Sequence, residues 1–227
     1  MKKITVVIMA YNEQGTTAEF IREMHAELSA LSIDYEVLIV DDGSTDGTSE
    51  IADDIAAELH NLRVIHHVEN SGLGQVYRTG FEQAEGDFLT FFPADGQFPA
   101  SIVGQFLPHM DEVDMVLGYL PMRNSSLLAK TLSRVERILY NMLFGPMPRF
   151  QGITMFRRQL LSEIELKSLG RGWTVLMEFI LRVARSDKQI RSLPTEMRPR
   201  TSGSSKVNNL RTIWANLREM ARLQRLL

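Results

Sequence analysis

The sequence contains no cysteine, which excludes a disulfide framework and any thiolate metal site. It also lacks an uninterrupted apolar stretch near the roughly 20 residues that a helix needs to cross a bilayer, so no transmembrane helix is expected. The first ten residues hold two lysines and then an apolar run. That run is too short for a secretory signal, and Tyr11-Asn12-Glu13 stand where a cleavage region would lie. A formal net charge of -3 gives no support for wholesale nucleic-acid binding. No Gly-Lys-Ser/Thr sequence of the P-loop kind occurs, and the turn after the first apolar run, Tyr11-Asn12-Glu13-Gln14-Gly15, is not the Gly-rich dinucleotide loop. These absences argue against nicotinamide enzymes and P-loop kinases or ATPases.

What is present is a repeating order of strands and helices. Residues 4–10 form a continuous, largely β-branched run, the pattern of a strand covered on both faces. In 16–31, Phe20, Ile21, Met24, Leu28 and Leu31 recur near the helical repeat. Further strands are predicted at 36–40, 62–67 and 87–92. Between them lie helices carrying Ile51, Ile55 and Leu59, and running from the Gly72–Gly74 turn to Ala84. This order predicts a Rossmann-like, mostly parallel α/β sheet flanked by helices, with right-handed crossovers. The second half is less regular: helices at 101–110, 127–144 and 173–185, strands at 114–117, 153–156 and 189–193, and a loop from 194 to 206 long enough to be functional. Residues 207–227 place Leu210, Ile213, Trp214, Leu217, Met220, Ala221 and Leu227 on one helical face. Such a helix packs on its own domain or a second subunit, or lies on anionic lipid. A domain at 1–206 followed by this amphipathic helix is the expected organisation.

Two strands end on acids. The run Phe88-Leu-Thr-Phe-Phe stops at Pro93-Ala94-Asp95-Gly96-Gln97, and the strand ending at Val40 runs into Asp41-Asp42-Gly43-Ser44. Ligands of open α/β sheets bind beyond the carboxyl ends of the strands, so two such ends point to one shared crevice. Asp95 and Gln97 offer two oxygens from one turn, a set suited to Mg²⁺, which takes one or two carboxylates and fills its shell with water and substrate phosphates. The alternative for Asp95 is a turn or helix-capping residue. Asp42 either accepts hydrogen bonds from a base or ribose or serves the turn, where Asp46 and Thr48 already supply cap chemistry. Gly72-Leu73-Gly74 is weak evidence for a phosphate cradle. His66 and His67, adjacent in a strand, point to opposite faces and cannot share a metal. The chain beyond Phe150 holds twelve arginines, which suit an anionic ligand or surface or simply form a solvated face.

Five segments in order, Val-Val-Ile-Met-Ala-Tyr-Asn-Glu (6–13), Val-Asp-Asp-Gly-Ser-Thr-Asp-Gly-Thr (40–48), Gly-Leu-Gly-Gln-Val-Tyr-Arg-Thr-Gly (72–80), Ala-Asp-Gly-Gln-Phe (94–98) and Arg-Thr-Ser-Gly-Ser-Ser-Lys (200–206), resemble the family 2 glycosyltransferases of GT-A fold. Within that family the chain is similar to the polyprenol-phosphate (dolichol-phosphate) mannosyl- and glucosyltransferases. The resemblance implies a nucleotide-sugar pocket at Ala10, Tyr11, Glu13, Val40, Asp42, Ala94, Asp95 and Gln97, with Mg²⁺ or Mn²⁺ held by Asp95 and Gln97. It implies a mobile loop in which Arg200, Ser205 and Lys206 close over donor and acceptor phosphates, and an acid at Glu178 that acts as positioner or base. The implied activity is inverting transfer of a hexose from a GDP-mannose or UDP-glucose type donor to a polyprenyl phosphate, by a peripheral protein at the cytoplasmic face of a membrane, with a homo-oligomer among the options. Alternatives are transfer to a soluble glycan or small molecule, and nucleotide-sugar binding without turnover.

The chain departs from the family pattern at three places. Pro93 replaces the first acid of the usual Asp-x-Asp. Leu120 replaces an arginine after Gly118, for which Arg123 is the substitute on the acceptor side. Pro148-Arg149-Phe150-Gln151 stand before Gly152 where an aspartate is common.

Overall fold

In the computed structural model the described residues are 2–121, 141, 142, 144–199, 218 and 222–227. Seven strands form one sheet: β1 (Lys3–Ala10), β2 (Asp34–Asp41), β3 (Leu62–His66), β4 (Phe88–Pro93), β5 (Met115–Tyr119), β6 (Thr154–Arg157) and β7 (Ile190–Pro194). Their spatial order is β3-β2-β1-β4-β6-β5-β7. β6 runs antiparallel to both its neighbours and the other pairings are parallel, so the sheet is mostly parallel, as the sequence predicts.

The helices cover both faces. α1 (Thr17–Ala30), α2 (Thr48–Glu58) and α4 (Ile102–Phe106) bury Phe20, Met24, Ile55 and Phe106 against Ile4, Val6 and Ile8 on one face. α3 (Leu73–Gln83) and α6 (Thr174–Ala184), with the short α5 (Leu160–Glu163), pack Val76, Phe179 and Leu160 against Val7, Leu38 and Phe91 on the other. Burial on both sides is why β1, β2 and β4 read as unbroken apolar runs rather than alternating ones.

Local departures from the sequence reading have physical causes. The helix predicted at 101–110 splits into α4 and a 3-10 turn at Leu107–Asp111, because Pro108 has no amide to continue the α-helical ladder. β4 extends onto Pro93, which is tolerated at the strand's last position, where it stands opposite Met9. Most of 127–144 and of 207–227 lies outside the described residues. Where the C-terminal stretch is described, residues 222–226 are helical and Leu223 is buried with Phe144, Met177 and Leu181. Among the described residues no helix is long and apolar enough to cross a membrane.

Candidate functional site

β1 lies third in the sheet order, with β2 on one side and β4 on the other. Chain connections leave a crevice where the strand order reverses, beyond the strands' carboxyl ends. A cavity of about 380 Å³ opens there, lined by Ala10, Tyr11, Glu13, Asp42, Ala94 and Asp95 together with Asn70, Gly72, Leu73, Val76, Tyr77, Phe91, Pro93, Phe98, Gly152 and Ile153.

The turn after β1 is fixed by the turn after β2. Asn12, in the left-handed region at φ 52°, accepts the Thr45 amide at 2.8 Å through its side chain, while its own amide donates to the Ser44 hydroxyl at 3.0 Å. The Glu13 amide donates to Thr48 Oγ1 at 2.9 Å, and the Gln14 side chain accepts the Gly47 amide at 2.9 Å. Tyr11 and Glu13 are thereby held at the cavity. The Thr16 hydroxyl, at the start of α1, donates to the Ala94 carbonyl at 2.9 Å and fastens the end of β4 to the same turn.

Asp41 and Asp42 diverge, as neighbours at a strand end must. Asp41 turns toward Ser44, Ser49 and His66, and Asp42 toward His67. Burial pushes the Asp41 carboxyl up, but hydrogen bonds from Ser44, Ser49 and His66 outweigh it and hold the group below the usual aspartate value. The Asp42 carboxylate is 3% exposed and accepts His67 Nδ1 at 2.7 Å, Asn70 Nδ2 at 2.9 Å, the Ser71 amide at 2.9 Å and the Gly72 amide at 2.8 Å. Its geometry is therefore that of an organiser: it folds residues 70–72 into the cavity's wall. His66 and His67 do face opposite ways, each taken by a different aspartate.

Asp95 sits on a tight turn. Gly96 has φ +67°, the left-handed conformation that lets the turn close beside Asp95, and no described atom lies within 4 Å of where a Cβ on Gly96 would stand. The Gln97 amide donates to Asp95 Oδ1 at 3.1 Å, and the Gln97 side chain reaches the Arg198 carbonyl at 3.4 Å. Arg198 is anchored in turn. Its amide donates to the Gln97 carbonyl at 2.7 Å, and its guanidinium grips Glu23 at 2.7 and 3.0 Å, an acid that burial pushes up but Arg198 and the Ala100 amide draw below its usual value. Arg198 is thus pinned to Gln97, two residues from Asp95.

Six of the eight residues expected at the donor site line the cavity; Val40 and Gln97 do not. Val40 has no exposed surface and packs in the core below the strand end. Glu178 also lies away from the cavity lining, with no exposed surface, and its carboxylate is taken up by the Lys167 and Ser168 amides and by Arg182. Arg123, Arg200, Ser205 and Lys206 lie outside the described residues.

Sequence reasoning missed much of the wall. Val76, Tyr77 and Phe91 belong to elements read correctly, but which of their faces meets the crevice depends on packing. Tyr77 is buried, which pushes its phenol well above the usual value and keeps it neutral. Phe98 and Gly152 meet because only a glycine leaves room: at φ +123°, a Cβ on Gly152 would stand 2.8 Å from the Phe98 ring. Gly72 and Gly74, weak evidence for a phosphate cradle in the sequence, allow a close backbone approach: a Cβ on Gly72 would stand 2.7 Å from the Arg171 oxygen and one on Gly74 2.0 Å from the Gly170 oxygen.

Among the described lining residues three carboxylates occur, Glu13, Asp42 and Asp95, and no lysine or arginine. Among the described residues no group of three or more His, Cys, Asp or Glu is arranged to hold a metal ion. One carboxylate, that of Asp95, still fits Mg²⁺ or Mn²⁺ when a bound diphosphate completes the shell. Gln97, turned toward Arg198, fits that role less well.

Solved structures with this architecture include mannosyl-3-phosphoglycerate synthase from Rubrobacter xylanophilus, at 19% identity and TM-score 0.72 over 99% of this chain and 74% of that one. Another is glucosyl-3-phosphoglycerate synthase from Mycobacterium tuberculosis in complex with Mn²⁺, UDP and phosphoglyceric acid, at 19% identity and TM-score 0.69 over 96% of this chain and 78% of that one. These neighbours identify the fold as GT-A. Among curated proteins, a dolichol-phosphate mannosyltransferase of Pyrococcus furiosus is 25% identical over 98% of this chain and 64% of its own length. An undecaprenyl-phosphate 4-deoxy-4-formamido-L-arabinose transferase of Klebsiella pneumoniae is 33% identical over 60% of this chain and 42% of its own. The chain thus spans less than two thirds of the length of these curated relatives. Residues 5–165 match the glycosyl transferase family 2, and the chain belongs to that family.

Proposed function

We propose that this chain transfers a hexose from a nucleotide sugar of the GDP-mannose or UDP-glucose type to a polyprenyl phosphate at the cytoplasmic surface of a membrane. The observation that carries the proposal is the sign of the cavity, which presents Glu13, Asp42 and Asp95 and no lysine or arginine among the described residues lining it. A nucleoside diphosphate is itself an anion, so it enters such a cavity only with added positive charge. A divalent cation held by Asp95 and the diphosphate would supply that charge and stabilise the leaving group as a Lewis acid. By the resemblance Arg200 and Lys206 would supply the remaining positive charge, and Arg198, the described residue nearest them in sequence, is anchored beside Gln97 in the Asp95 turn.

The chain's own residues divide the remaining work. Ala10, Tyr11 and Glu13, held by the 44–48 turn, bound the nucleoside side of the cavity, while Asp42 contributes through the wall it folds. Phe91, Phe98, Val76 and Ile153 offer apolar surface to the base and sugar faces and exclude water. In the transfer an acceptor phosphate oxygen attacks the anomeric carbon, the bond from that carbon to the diphosphate breaks, and its electron pair leaves on the diphosphate. That oxygen is already ionised, so no general base is required, in keeping with the full engagement of Glu178. The relatives named for dolichol phosphate and undecaprenyl phosphate favour the lipid acceptor.

The test is incubation of the purified chain with labelled GDP-mannose or UDP-glucose, Mn²⁺ and polyprenyl phosphate. Label is expected in the organic phase. Label appearing only on soluble phosphorylated acceptors would replace the acceptor assignment, and nucleotide binding without transfer to any acceptor would overturn the activity.

A further inference from the structure

A buried acid behind the cavity wall has no partner in the chemistry above. Glu178 lies in α6 among Val175, Leu176, Phe179 and Ile180, a setting that otherwise selects apolar residues, and it has no exposed surface. Its carboxylate accepts the Lys167 amide at 3.0 and 3.1 Å, the Ser168 amide at 2.6 Å and Arg182 Nε at 2.7 Å. Burying a carboxylate is costly unless such donors offset it, so the group's effect falls on what it holds. What it holds is the 167–172 loop.

That loop has little apolar packing of its own: Leu169 is 87% exposed and Gly170 and Gly172 carry no side chain. Its outer edge meets the start of α3. The Gly74 amide donates to the Arg171 carbonyl at 2.8 Å, and Arg78 donates to the Ser168 and Gly170 carbonyls at 3.0 and 3.2 Å. The Arg171 guanidinium donates to the Asn70 carbonyl at 2.6 Å. Backbone meets backbone closely here, since a Cβ on Gly74 would stand 2.0 Å from the Gly170 oxygen. Asn70, Gly72 and Leu73 are the cavity's wall.

We propose that Glu178 is a positioning residue for the donor site, a strut that fixes the 167–172 loop and through it the distance of the Asn70–Leu73 wall from the strand ends carrying Asp95. The inference rests on the donor reading above only in supposing that a nucleotide sugar fills this cavity. Because the wall meets the donor in ground state and transition state alike, its displacement weakens donor binding and spares the chemical step.

Three variants disturb the strut at different points. Gly74→Ala drives a methyl against the Gly170 carbonyl, Arg171→Ala removes the outer contact, and Glu178→Gln sets an amide against the loop's own N–H groups. Two measurements read them. Hydrogen exchange of the free protein should quicken at residues 69–73, where the Ser71 and Gly72 amides donate to Asp42. The donor KM should rise roughly tenfold with kcat held within about twofold, and Arg171→Lys should recover part of the loss. Should Glu178→Gln fail to fold, the exposed Arg171→Ala carries the test. Unchanged exchange at 69–73 in both Gly74→Ala and Arg171→Ala overturns the strut, as does quickened exchange with an unaltered donor KM. A wild-type chain that turns over no nucleotide sugar would count against the proposed function, while the exchange measurement, which needs no ligand, still decides the strut.

Discussion

The two ends of the central sheet use the same material, buried acids beside a cavity, in opposite ways. At the amino end a cavity of about 440 Å³ is lined by Lys3, Asp34, Glu36 and Arg63, so both signs of charge are present. Glu36 accepts the Thr5 hydroxyl at 2.5 Å and the Glu85 amide at 2.8 Å, with Lys3 and Arg63 each at 3.6 Å. Burial pushes its carboxyl up, and these donors outweigh that and hold it below the usual glutamate value. At the carboxyl end the described lining residues include three acids and no lysine or arginine. A cavity whose charges balance within the chain is a structural feature, whereas an excess of one sign among the described residues is what the proposed cation and nucleotide would answer, with Asp95 as the binding acid and Asp42 as the organiser of the wall.

The contrast is sharpest under substitution. Asp95→Ala should weaken cation-dependent binding of a nucleoside diphosphate by at least about a hundredfold, since a bound metal contributes several kcal/mol to holding such charge. Calorimetric titration with Mn²⁺ present reads it, and unaltered affinity would move the cation site elsewhere. At the other end Glu36→Gln should cost about 2 kcal/mol of stability by unmaking buried hydrogen bonds, with nucleotide affinity unchanged. Urea unfolding paired with the same titration tests both halves, and a loss of affinity without a loss of stability would erase the distinction between the ends. Replacing Arg200 and Lys206 together should slow turnover about tenfold while leaving nucleotide affinity nearly intact, because their charge is needed as the diphosphate leaves.

The smallest effect concerns His66, which borders the carboxyl end. Hydrogen bonding to Asp41 raises its pKa, burial opposes this, and Asp53 adds to the rise. A raised histidine contributes stability that is fully present below its unfolded value of about 6.5 and fades as pH climbs through the folded value. Asp41, held low, contributes in the opposite sense: its share is present above the ordinary aspartate value and fades as pH falls through the lowered one. Their pair is strongest between those limits. With the ring 37% exposed, solvent screening keeps the gain below about 1 kcal/mol. Wild type should lose that margin relative to His66→Gln as denaturation is repeated from about pH 6 to about pH 8.

How legible these features were in the sequence follows the range of the interactions behind them. β1, β2 and β4 could be read because burial on both faces leaves an unbroken apolar run, and Asp95 because the run stops on it. The reversed direction of β6 could not, since nothing within Thr154–Arg157 records which neighbour it pairs with. Tyr11 and Glu13 were legible as turn residues, but the Asn12–Thr45 and Gln14–Gly47 contacts that fix them join loops more than thirty residues apart. The same holds for the Asn70–Leu73 wall. The glycines at 72 and 74 announced a close approach, and only the fold reveals that the approaching group is the loop held by Glu178.

The account stands most directly on the charge of the carboxyl-end cavity, and a single titration reaches it: UDP and GDP added to the wild-type chain with Mn²⁺, then again with the ion chelated. At least one of the two nucleotides should bind with the ion, and its affinity should fall by at least about tenfold without it. Equal affinity in both conditions would contradict it.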